Sequence, residues 1–212
     1  MNIVLHVGAG ILGLSAGAVP LLSRKGGPLH RRGGRWFVGF AAVALTTAVI
    51  ADVFFGPALW LYAVTCAFGY DLIAGLRALQ IKRTGPRASD ALLAAAAIAA
   101  SAVLMRRADP HTTSGMIVIS TGAFLAAMGF YDLSRPFWRN LWIARIRPID
   151  HGVKMTAAYF AMMSAGAGNL LRAFQPFSQI APSIIGTAVM IGFVAYYLAR
   201  PQRIAIAKLA AE

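Results

Sequence analysis

Seven stretches of this chain stay apolar for about 20 residues each, the length a helix needs to cross the hydrocarbon core of a bilayer. They lie near 3–22, 36–55, 58–80, 89–106, 113–133, 152–171 and 183–200. Lipid offers no hydrogen-bond partners, so the backbone must pair within each segment, and each stretch is expected to be a helix. The alternating segments of an outer-membrane barrel are not seen. The expected breaks carry turn chemistry: Gly26-Gly27-Pro28, Gly56-Pro57, Gly85-Pro86, Asp109-Pro110, Pro148 and the stretch 176–182. The expected fold class is all-α, a single transmembrane domain over 1–212 built as a bundle of seven helices.

Composition agrees. Of 212 residues, 13% are charged and 58% are hydrophobic. Soluble domains carry about 25% charged residues, so this chain could not cover a water-facing surface. The same hydrophobicity excludes disorder. One cysteine excludes a disulfide framework and any multi-cysteine metal or iron–sulfur centre.

The formal net charge is +13, and the positions of the charges explain it. The first connection holds Arg24, Lys25, Arg31, Arg32 and Arg35. The third holds Arg77, Lys82, Arg83 and Arg87. The fifth holds Arg135, Arg139, Arg145, Arg147 and Lys154, and the tail holds Arg200, Arg203 and Lys208. Only Arg106, Arg107 and Arg172 fall in the even-numbered connections. The positive-inside rule then predicts an outer N-terminus and a cytoplasmic C-terminus. The charge is a topology signal with some attraction to anionic lipid, and no nucleic-acid partner is expected. Because the basic residues follow the first apolar run, that run reads as a retained helix and not a cleavable signal peptide.

Tyr70-Asp71-Leu72 recurs as Tyr131-Asp132-Leu133, and the offset continues in Pro86 with Pro148 and Asp90 with Asp150. A parallel repeat of 70–106 and 131–171 is one reading. Chance similarity between basic membrane loops is the other.

Gly8, Gly10 and Gly13 spell a GxGxxG. A dinucleotide site needs a strand before it, a helix after it and an acid about 20 residues on. The first acid is Asp52, and no βαβ pattern follows. The glycines read instead as a small-residue face for close helix contact.

Ionisable groups inside a membrane segment are costly and point to function by default. Asp71 falls near the middle of the third stretch. Asp52 lies near the outer end of the second. Equal rise per residue from Leu22 and from Trp36 puts His6 and Asp52 at one depth, which predicts a hydrogen bond between them. That pair is either a latch or a protonatable coupling pair. Asp71 is either satisfied by Ser15, Thr46, Thr47, Tyr159 or its neighbour Tyr70, or is a coupling carboxylate for protons or cations.

His6, His30, His111 and His151 are the candidate ligands for haem or a metal, since imidazole suits both. His30 and His151 both fall at the cytoplasmic side. Asp90, Asp132 and Asp150 sit beside basic residues at the inner interface, with Asp90 and Asp150 placed as helix caps. Trp36, Trp60, Trp138 and Trp142 read as an aromatic belt. No nucleophile–base–acid set stands out, so an enzyme is not expected. Helix seven has no lysine for a retinal Schiff base.

The segment Lys25-Gly26-Gly27-Pro28-Leu29-His30-Arg31-Arg32-Gly33-Gly34 resembles a K-G-x-x-x-H-R-x-x-G signature. That signature belongs to uncharacterised bacterial multi-pass membrane proteins, a family known only as a domain of unknown function. His151-Gly152-Val153-Lys154-Met155 with Tyr159, and Gly75-Leu76-Arg77-Ala78-Leu79, resemble further segments of it. The resemblance implies about seven helices in a bacterial cytoplasmic membrane and brings no established activity. Three functions are compatible with these residues. One is a small transporter or permease-like protein using Asp71 and a His6–Asp52 pair. Another is a haem-binding redox protein. The last is a non-catalytic subunit or assembly factor with a membrane-protein partner, a homo-oligomer included.

Overall fold

The computed structural model describes residues 3–81 and 85–199. Lys82, Arg83, Arg200, Arg203 and Lys208 of the charge pattern lie outside the described residues. Seven long helices run through those described: α1 (Ile3–Leu22), α2 (Pro28–Phe55), α3 (Leu59–Gln80), α4 (Ala88–Arg107), α5 (Thr113–Ser134), α6 (Arg147–Leu170) and α7 (Phe177–Ala199). No strand occurs among the described residues. Six helical stretches are long and apolar enough to cross a membrane. The fifth of these is a continuous run of 58 residues, Thr113–Leu170, that contains both α5 and α6.

Three boundaries differ from expectation, each for a local reason. α2 begins at Pro28 and not near 36, because Gly27 serves as N-cap and proline at N1 is already set at the helical φ. Arg31, Arg32 and Arg35 therefore lie on a helix, and the first connection shrinks to 23–27. Pro148 does not break the chain but sits in the first turn of α6, where its missing N–H costs nothing. Pro182 likewise lies within α7, as membrane-type helices tolerate. At the far end of α2 the stop is sharp: Gly56 adopts φ 54° and caps the helix in the left-handed region.

The connection between α5 and α6 is helical throughout. A 3-10 turn (Arg135–Trp138), one short α segment (Arg139–Leu141) and a π segment (Trp142–Ile146) turn the chain back. Such changes of helix type are a recognised way to bend a helix.

The hairpins α1–α2, α4–α5 and α6–α7 pack antiparallel, and small residues set the registers between helices. A side chain at Gly17 would come within 2.7 Å of Phe37 and Tyr159, and one at Gly33 within 2.9 Å of Val19. These glycines let α1, α2 and α6 approach closely. Gly75 does the same between α3 and α6, facing Lys154 and Met155. α3 packs chiefly on α6, α4 on α5, and α7 almost wholly on α6. The main core joins Phe37, Ala41, Phe68, Leu72, Tyr159 and Phe160. Outside it, Ile3, Val4, Phe54, Ile184 and Leu198 are exposed. An apolar perimeter of this kind suits lipid and not water.

The connections 23–27 and 135–146 lie at one end of the bundle, called here the basic end. The turns at 56–58, 108–112 and 171–176 lie at the other.

Candidate functional site

Near the basic end the bundle encloses four charges. Asp132 comes from the last turn of α5, Arg135 from the 3-10 turn, and Asp150 and Lys154 from the start of α6. Lys154 is 0% exposed, and the other three are buried. The Lys154 ammonium donates to Asp132 Oδ1 at 2.6 Å and to Asp150 Oδ1 at 2.7 Å. Arg135 lies 3.0 Å from Asp132 Oδ2 and 3.4 Å from Asp150 Oδ2. Each cation thus bridges both carboxylates, and the four formal charges cancel.

Aromatic groups close the network. Tyr70 donates to Asp132 Oδ2 at 2.6 Å. Trp142 is fully buried, donates through Nε1 to the Tyr131 hydroxyl at 3.2 Å, and lies under the Arg135 guanidinium. The Lys154 ammonium lies 5.2 Å from the centre of the Tyr131 ring. These contacts are cation–π in character and keep water from the ion pairs. Trp142 is therefore not the interfacial belt residue the sequence suggests. The bend at 135–146 turns it inward.

Toward the basic surface, Arg77 pairs with Asp90 at 2.8 Å and ties α3 to α4. Asp90 also accepts from the Arg87 backbone N–H at 2.8 Å, which completes a capping box on α4. Arg147 donates to Ile81 O at 2.8 Å, satisfying a carbonyl just past the end of α3.

Asp71 stands apart from this. It is 1% exposed, and its Oδ1 has no hydrogen-bond partner among the described residues. Lys154, Asp132 and Asp150 are all within electrostatic reach of it. None of the partners expected from sequence serves it. Ser15 bonds Ile11 O, Thr46 bonds Ala42 O, Thr47 bonds its own helix, and Tyr70 goes to Asp132.

The expected His6–Asp52 bond is not formed. His6 Nδ1 lies 2.7 Å from Thr47 Oγ1, and Asp52 faces Thr65. The reason is the early start of α2. Sixteen residues from Pro28 instead of Trp36 reach Ala44, one turn from Thr47 and two turns short of Asp52, so His6 meets Thr47. The Tyr62 hydroxyl takes the Asp52 backbone carbonyl at 2.8 Å.

The four histidines do not converge as a set. His6 lies toward the far end, and His111 is exposed in the turn at 108–112. His30 donates from Nδ1 to Pro20 O at 3.0 Å, and His151 from Nδ1 to Gly75 O at 2.8 Å. Lys25 shares the Pro20 carbonyl with His30 and also bonds Leu21 O, so both side chains cap the open end of α1. Burial holds the Lys25 amine below the usual lysine range. Among the described residues no group of three or more His, Cys, Asp or Glu side chains is arranged to hold a metal.

In the half of the bundle away from the basic end, a cleft of about 530 Å³ opens between α5 and α7. Trp60, Ser120, Thr121, Ser164, Ser183 and Thr187 contribute to its walls. It exists because α7 leans on α6 and leaves α5 uncovered.

The charge network is what sequence reading missed. Asp132–Arg135 and Asp150–Lys154 stand three and four positions apart, the spacing of helical ion pairs. Expected helix ends at 133 and 152 leave Arg135 and Asp150 in a connection and Asp132 and Lys154 at its edges, so the spacing does not read as two helical ion pairs. No family model, curated protein or solved structure matches this chain, so the functional reading rests on its own geometry.

Proposed function

We propose that this protein is a small permease-like transporter of a bacterial cytoplasmic membrane, with Asp71 as its proton- or cation-coupling group. In this reading α1 to α7 cross the bilayer seven times, with the basic end cytoplasmic and the N-terminus outside. The run Thr113–Leu170 counts as two crossings, since its bend at 135–146 sends α6 back along the bundle. The clustering of Arg and Lys at one end supports the orientation.

One observation carries the coupling role. Asp132, Asp150, Arg135 and Lys154 already balance one another, so an ionised Asp71 leaves the interior with one uncompensated negative charge. An unpaired charge in such surroundings is expensive, and a bound proton or cation removes it. Ionised Asp71 also competes with Asp132 and Asp150 for Lys154. Occupancy of Asp71 therefore decides how firmly Lys154 joins α5 to α6. In this reading Lys154 is the group whose pairing shifts as Asp71 gains and loses its proton or cation. The cleft beside α7 supplies room for a small substrate on the outer side, within the usual size range of ligand pockets.

The test is a pH titration of reconstituted protein by difference infrared spectroscopy, with pH-jump currents from the same vesicles. Wild type should show a protonated-carboxyl band and a transient current, and Asp71→Asn should lack both. A titration and current unchanged in Asp71→Asn would exclude Asp71 as the coupling group.

A further inference from the structure

His30 and His151 come together at the basic end, although 121 positions separate them in sequence. α2 and α6 run in the same direction, each antiparallel to α3. They touch through Phe37 and Tyr159, whose ring centres are 6.1 Å apart. His30 lies seven residues before Phe37, and His151 eight residues before Tyr159. Two turns back along each helix, roughly 11–12 Å, brings both imidazoles to one level. They are near enough to interact electrostatically.

The two rings are also held in the same chemical state. Each presents Nδ1 to a backbone carbonyl, Pro20 O for His30 and Gly75 O for His151. A carbonyl only accepts, so Nδ1 carries the proton, and in the neutral ring Nε2 keeps its lone pair. An Nδ1–H held by a carbonyl is the usual support of a metal-bound histidine. Capping the end of α1 explains the His30 contact alone; it does not explain why His151 makes the matching contact to a carbonyl within α3.

A third donor lies beside His151. Met155 is one turn from His151 on α6, and its Sδ lies 3.0 Å from where a Gly75 side chain would begin. Gly75 thus receives His151 on its carbonyl and Met155 against its α-carbon. A thioether with two imidazoles is a soft, uncharged donor set. Such sets favour monovalent copper over zinc, magnesium or calcium.

We infer that His30, His151 and Met155 form a binding site for a monovalent copper ion between α2, α3 and α6 at the basic end. The site is separate from Asp71, and its occupancy does not depend on the coupling role proposed above.

The experiment is competition for Cu(I) between purified protein in detergent and a chromogenic Cu(I) chelator, followed by copper X-ray absorption. Wild type should withhold one copper per chain, with nitrogen and sulfur neighbours. His30→Gln and Met155→Leu should each weaken binding at least about tenfold. Both variants preserve bulk, the amide of His30→Gln can still donate to Pro20 O, and both should elute as the wild type does. Asp71→Asn should bind copper as the wild type does, which separates this site from the coupling proposal. Failure to withhold copper, or equal binding by wild type, His30→Gln and Met155→Leu, would overturn the inference. So would a haem absorption band that persists in the purified protein and is lost in His30→Gln.

Discussion

The Lys154 ammonium lies 2.6 Å from Asp132 Oδ1, and this contact fastens the start of α6 to the end of α5 across the helical bend. Removing one member of a buried pair strands the other, at a cost of about 3–5 kcal/mol. Lys154→Met should lower thermal stability in detergent sharply. Adding Asp132→Asn to it should recover part of the loss. If the double variant shows only the sum of the single losses, the two residues are not coupled.

Tyr70 donates a 2.6 Å bond to the same aspartate. A hydrogen bond to a charged group contributes about 1.5–3 kcal/mol. Tyr70→Phe should therefore destabilise measurably while keeping the fold, seen as a lower melting temperature with an unchanged circular dichroism spectrum. A melting temperature equal to wild type would show that the bond contributes nothing.

Asp71 should behave in the opposite way. It has no partner for Oδ1, so Asp71→Asn removes a charge without stranding another group. Its melting temperature should equal or exceed that of wild type near neutral pH. Asp132→Asn and Asp150→Asn, which strand cations, should both melt lower. A loss in Asp71→Asn as large as theirs would mean that Asp71 is a structural member of the network.

The α1–α2 register can be tested through His6. His6→Ala and Thr47→Val should show a non-additive double-mutant cycle, because the pair is in contact at 2.7 Å. His6→Ala and Asp52→Asn should be additive. The reverse pattern would restore the register counted from Trp36.

Glycine substitutions separate packing from the apparent nucleotide motif. Nothing lies within 4 Å of a side chain built at Gly8 or Gly10, whereas one at Gly17 would meet two aromatic rings. Gly8→Ala and Gly10→Ala should leave expression and stability unchanged. Gly17→Val should disrupt the hairpin, read as aggregation or loss of the monodisperse peak on gel filtration. Equal tolerance at all three positions would argue against close α1–α2–α6 packing.

Local signals sufficed for much of the architecture. Apolar runs near 20 residues announce helices, and Gly56-Pro57 and Asp109-Pro110 mark stops that are also found. Both follow from constraints acting on a residue and its near neighbours. Where a boundary was misread, the cause was also local. Proline reads as a break, yet Pro28 and Pro148 occupy first-turn positions where no N–H is required. The start of α2 in turn decides which residue faces His6.

The site required tertiary structure. Asp71 announces itself in sequence as an acid within an apolar run, but its lack of a partner does not. Whether a carboxylate is paired depends on groups from other helices. Lys154 reads as one more basic loop residue until the bend at 135–146 and the packing of α6 on α3 enclose it. The apolar runs determined which segments become helices that suit lipid, because that depends on how a segment partitions by itself. Packing decided which charges meet, because a contact between Tyr70 and Asp132, or between His151 and Gly75, depends on register between helices, which no single segment encodes.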